Sequence, residues 1–200
     1  MLLVCAGALA DDWPGPQIKE VLSEGRDDFV RVAPGQSWGD SVGFEGAPKG
    51  PFAKAEFYHR RTDGSYSPGA LVSLVNPVAP VDFFVSNEGY LATLDNWHSM
   101  GYGKVFALYS PGGSLIQSYE LRDLFSEDEI QQFEHSVSSI WWRKGPAYLQ
   151  IDQKSLYVTV DEKGGALAFD ARTGRYRFCE WHEKAFACRA SAADRKWEPY

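Results

Sequence analysis

Apolar and polar positions alternate in short bursts along most of this chain, and turn residues separate the bursts. Val81–Leu121 shows the pattern best. Apolar or alternating runs at 81–86, 90–94, 104–109 and 114–120 are divided by Asn87-Glu88-Gly89, by Asp95–Gly103 and by Pro111-Gly112-Gly113. A period of two with turn chemistry at the breaks predicts strands joined by hairpins. Upstream, Ala55–Arg61 and Ser65–Val75 flank Thr62-Asp63-Gly64, and Asp-Gly between strand-like runs marks a hairpin. Phe29–Val32 reads as a short strand. Downstream, strands are predicted at 147–151, 155–160, 166–169 and 175–180, with Leu156, Val158 and Val160 alternating with Tyr157 and Thr159.

Two segments read as helix instead. Ser126-Glu127-Asp128-Glu129 is a capping box with an acidic first turn, so a helix is expected near 127–134. Gln17–Glu24 sets Ile18, Val21 and Leu22 on one helical face, with Gly25 as a stop. Ser37–Pro51 is a long irregular connection, a kind of segment that often carries function. Turns recur near 63, 88, 112, 153 and 173. The expected class is mostly β: an antiparallel hairpin meander with one short helix near 127–134. It would form either a small propeller-like stack or a two-sheet sandwich.

Composition sharpens this. The chain has 200 residues, 44% hydrophobic and 24% charged, with 7 Trp, 10 Tyr and 12 Phe. A formal net charge of −7 lacks the basic footprint of a nucleic-acid binder. Residues 1–10 are apolar and end in Ala8-Leu9-Ala10, the pattern that precedes signal cleavage. They read as a signal-peptide remnant, with residues 11–200 as one β-rich domain of a secreted or periplasmic protein. A short buried N-terminal strand is the alternative. No other apolar run approaches the ~20 residues of a membrane span. Removal of the leader takes Cys5 with it and leaves Cys179 and Cys188. In an oxidising compartment such a pair reads as one disulfide, and two buried thiols are the alternative.

Three groups of residues could carry chemistry. Asp95-Asn96-Trp97-His98 with Tyr102 gathers a carboxylate, an amide, an imidazole and aromatic rings on one inter-strand loop. Asp95 could orient His98 as a general base. Equally, Asp and Asn after a strand often satisfy turn amides. His135 follows the capped helix. With Asp95 and His98 it would suit zinc or a similar divalent ion, although the spacing carries no local metal signature. Trp97, Tyr102, Trp141, Trp142 and Trp181 are candidates for an aromatic binding surface, because a flat ring offers area at low entropy cost. His59 and His182 have no partner legible in the sequence. There is no Walker loop, Gly-x-Gly-x-x-Gly, Cys-x-x-Cys or His-Glu-x-x-His.

The unit VSNEGYLATLDNWHSMGYGKVFALYSPGGSLIQSYEL resembles blades of secreted bacterial β-propeller proteins of the NHL type. It is also similar to a group of uncharacterised bacterial exported proteins with an Asp-Asn-Trp-His-x-x-Gly-Tyr-Gly loop and a downstream His-Ser-x-Ser segment. The likeness covers roughly residues 80–142. It implies export and a β-meander, and no known activity. The expected function is an exported binding module without catalysis, taking an unknown protein, peptide or carbohydrate. Its face would be Asn96, Trp97, Tyr102, Trp141 and Trp142. The alternative is a metal-dependent or general-base hydrolase centred on Asp95, His98 and His135.

Overall fold

The computed structural model describes residues 13–149, 154–160, 165–182 and 185–188. The expected leader at 1–10, the turn near 153 and the polar tail lie outside them. Strands take 43% of the described residues and helices 8%, so the protein is mostly β. Three antiparallel meanders follow one another. The first sheet holds β1 (Lys19–Leu22), β2 (Asp28–Ala33), β3 (Lys54–Arg60) and β4 (Tyr66–Ser73). The second holds β5 (Pro80–Val85), β6 (Leu91–Asn96), β7 (Phe106–Tyr109) and β8 (Leu115–Tyr119). Two short helices come next, α1 (Leu121–Leu124) and α2 (Glu127–Gln132), then a ribbon of β9 (Glu134–His135) and β10 (Ile140–Trp141). The third sheet holds β11 (Tyr148–Leu149), β12 (Ser155–Thr159), β13 (Ala166–Asp170), β14 (Tyr176–His182) and β15 (Ala185–Cys188). In each sheet the spatial order is the chain order.

The hairpin and capping signals act as expected. Arg61 N–H donates to the Ser65 carbonyl at 2.7 Å and closes the turn around Asp63-Gly64. Ser126 and Glu129 cap α2 reciprocally. The helical pattern at 17–24 does not prevail. Lys19–Leu22 is a strand whose Val21 pairs with Val30 of β2. A helix of eight residues is marginal alone, and a ladder to β2 with Val21 packed against the core wins. The spared residues Ile18 and Leu22 stay exposed.

The second sheet is covered on both faces, unlike either layer of a two-sheet sandwich. Phe83, Val85, Leu91, Ala107 and Tyr109 pack with Val30, Val32, Ala55 and Phe57 of the first sheet. Their neighbours Ala92, Leu94, Phe106 and Leu108 pack with Leu156, Val158, Leu167 and Phe169 of the third. Strand period two sends successive side chains to opposite cores, which is why all of β7 is buried and apolar. Tyr109 can be buried there because its hydroxyl accepts a hydrogen bond from Val75 N–H at 2.8 Å. Burial pushes its phenol up to about 12.

Turns lock each sheet onto the one before it. A Cβ added at Gly113, in the β7–β8 turn, would lie 2.3 Å from Val72 Cγ1 of β4. At Gly174, in the β13–β14 turn, it would lie 2.7 Å from Gln117 Cβ of β8. Both glycines also have positive φ, 82° and 68°. Cys179 and Cys188 face each other across β14 and β15 and form a disulfide with a Cα–Cα distance of 4.0 Å. Gly113→Ala would add both overlap and left-handed strain, costing about 2–4 kcal/mol; urea unfolding should show that loss, and Gly112→Ala, whose Cβ would meet only Ser110 Oγ at 3.8 Å, should be far milder.

Candidate functional site

β6 runs out of its ladder at Asp95–Asn96, and the loop from 97 to 105 returns to β7. Two non-glycine residues at this exit have positive φ, Asp95 in β6 at 56° and His98 in the loop at 63°. Such conformations cost energy and persist only where surrounding contacts over-determine them. Asp95 supplies those contacts. Its side chain has no exposure at all. Oδ1 accepts from Gly101 N–H at 3.0 Å and from the Trp142 indole N–H at 2.7 Å; Oδ2 accepts from Arg143 Nε at 2.7 Å. Arg143 reaches further and donates to Asp82 Oδ2 on β5 at 2.6 Å. Desolvation alone pushes the Asp95 carboxyl up, and Arg143, Trp142 and Gly101 oppose that rise. Desolvation would lower Arg143, but Asp95 and Asp82 outweigh it and hold the guanidinium above its ordinary value.

Asn96 shapes the same loop. Its amide nitrogen donates to the Tyr102 carbonyl at 2.7 Å, and its oxygen accepts from Asn76 Nδ2 at 2.8 Å. Trp97 and His98 face elsewhere. Trp97 donates its indole N–H to the Pro14 carbonyl at 2.9 Å. Its ring centroid lies 5.1 Å from Trp38, 5.3 Å from His98 and 6.4 Å from Trp13. His98 packs edge-on against Phe44 at 4.8 Å, and its Nδ1 is buried without a hydrogen-bond partner. The imidazole is therefore boxed by rings, and among the described residues no carboxylate bonds its Nδ1.

His135 lies in β9, exposed, with Nε2 at 3.2 Å from the Ile130 carbonyl. Asp95, His98 and His135 thus occupy three different environments. Among the described residues no group of three His, Cys, Asp or Glu side chains gathers as a metal site. Trp142 is wholly buried beneath the loop, Trp141 is half-buried in β10, and Trp181 and His182 belong to β14. His59 does have a partner, Asp28 on the neighbouring strand, through Nδ1.

Two cavities flank the loop. A groove of about 240 Å³ is lined by Trp13, Pro16, Val32, Val81, Phe83 and Trp97, with Gln17 and Lys19 at its polar end. It lies where β1 and β5, outer strands of their sheets, approach each other. A cleft of about 150 Å³ is lined by Asp40, Ser41, Asn96, Tyr102, Lys104 and Glu120 among others. Asn96, Trp97 and Tyr102 therefore border cavities, and Trp142 holds their loop from below. Trp13, Trp38 and Phe44 had no signal of their own in the sequence. Only the length of the 37–51 connection pointed toward the last two.

No protein family, no curated protein and no solved structure matches the chain.

Removing one partner of a buried ion pair strands the other charge. Asp95→Ala should therefore cost about 3–5 kcal/mol in urea unfolding. Asp82→Ala should cost about 1 kcal/mol or less, since Asp82 is 42% exposed.

Proposed function

We propose that this protein is an exported, non-catalytic binding module whose groove between β1 and β5 takes an extended, largely apolar peptide segment. The observation that carries this reading is the groove's make-up. Trp13, Pro14, Pro16, Val32, Ala79, Pro80, Val81, Phe83 and Trp97 surround about 240 Å³, with few polar groups to orient a sugar or a metabolite. Its long walls include β1 and β5. Among the described residues each pairs with one neighbour only, so each has a backbone edge that an added strand could use. Among the described residues Lys19 is the one charged group in the lining, which favours a segment without basic residues. Aromatic rings held by one another lose little entropy on binding. Export is supported by the Cys179–Cys188 disulfide, a bond that persists in oxidising compartments. The likeness of residues 80–142 to a propeller blade is in keeping with the four-stranded meander of β5–β8.

The hydrolase reading has less support. Asp95 is enclosed and already accepts three hydrogen bonds, while His98 and His135 have separate surroundings. A general base must reach its substrate proton.

Selection from a displayed library of random ten-residue peptides tests the proposal, with tryptophan fluorescence as the affinity readout. Val81 is half-buried at the groove wall. Apolar peptides should be enriched, and Val81→Asp should weaken them at least about tenfold while shifting Tm by no more than about 2–4 °C. Enrichment of charged peptides, or equal binding by Val81→Asp, would refute the assignment.

A further inference from the structure

We infer that the second cavity, the cleft between the 38–44 loop and the β6–β7 loop, is a binding site for one neutral hexose unit. It is separate from the peptide groove and does not depend on that reading. The two cavities share no lining residue.

Size sets the first limit. At roughly 10–15 Å³ for each water-sized atom, the cleft's 150 Å³ holds about the heavy-atom count of a single hexose. Charge sets the second. Asp40 on one lip is paired with Lys49 at 2.5 Å, and Glu120 on the other with Lys104 at 3.1 Å and Arg122 at 2.6 Å. Lys49 and Ser37 hold the Asp40 carboxyl below its usual range, so it stays an acceptor. Both acids are already paired with cations, so the cleft offers an ion of either sign little net charge to bind against. A polyol needs none. It can donate to Asp40 and Glu120 and accept from Lys104, while Tyr102 supplies the aromatic surface that sugar C–H faces need.

The third limit is a polar group in the wall with nothing to bond. Ser41 is 8% exposed, and its hydroxyl has no hydrogen-bond partner. Buried polar groups are nearly always satisfied, so an orphan asks for an explanation. A single χ1 rotation redirects a serine hydroxyl between staggered positions, and a sugar hydroxyl in the cleft would complete it.

The test is titration of the full chain with glucose, galactose, mannose and N-acetylglucosamine, and with their β-linked disaccharides, by saturation-transfer NMR and calorimetry. At least one should saturate with Kd near about 1 mM. Tighter binding of the disaccharide identifies a glycan end as the source, and equal binding identifies the free sugar. Ser41→Ala removes a hydroxyl that holds nothing in the fold, so Tm should stay within about 2–4 °C while affinity falls about fivefold or more. Asp40→Asn should also weaken binding, and Val81→Asp, in the groove, should leave it unchanged. No saturation by any of these sugars below about 50 mM, or wild-type affinity in both Ser41→Ala and Asp40→Asn, would overturn the assignment.

Discussion

A carboxylate with no solvent exposure, Asp95, organises the β6–β7 loop and the strands around it. Stripping a carboxylate of water costs several kcal/mol even after relaxation. That cost is offset only because every direction around it is used. Gly101 N–H comes from its own loop, the Trp142 indole from beneath, and Arg143 from the segment after β10. Arg143 then ties β5 through Asp82. The anchor converts a loop of nine residues, which would otherwise sample many conformations, into one shape. It also explains why Asp95 tolerates a left-handed backbone. The network over-determines the geometry, so the strain stays small beside what would be lost by relaxing it.

The anchor works because the platform beneath it does not give. The second sheet has a packed core on each face, so its strands cannot tilt without opening one of them. Turns at Gly113 and Gly174 approach the preceding sheet too closely for any side chain, which fixes the stacking register between sheets. The disulfide ties β15 to β14 at the far end of the third sheet. Among the described residues, the strands that border the groove, β1 and β5, each pair on one side alone.

Local signals were legible in the sequence because their causes are local. Asp63-Gly64 makes its turn from its own backbone preferences, and Ser126 with Glu129 caps α2 within one turn of helix. The cysteine pair was legible from count and from the oxidising compartment that the N-terminal pattern suggests, and its cross-strand register agrees. Gln17–Glu24 misled because its apolar spacing fits a helix, while the ladder to β2 that overrides it lies in other residues. Asp95 was singled out, but its partners were not. Arg143 is 48 residues away and Trp142 is 47, and no periodicity encodes a contact at that range. The same limit hid Trp38 and Phe44. Their role depends on meeting Trp97 and His98, and this is a property of the folded loop.

One short run of chain therefore serves four surroundings. Asp95 turns into the core, Asn96 to the cleft, Trp97 to the groove and His98 into the ring cluster. A regular strand could not do this, because its side chains alternate between only two faces. The positive φ values at Asp95 and His98 break that alternation at both ends of the run. The strain is thus what separates an apolar groove from a polar cleft across a single turn of backbone. A chain that relaxed Asp95 to an extended conformation would return Trp97 and Asn96 to the alternation of β6, and neither cavity would keep its wall.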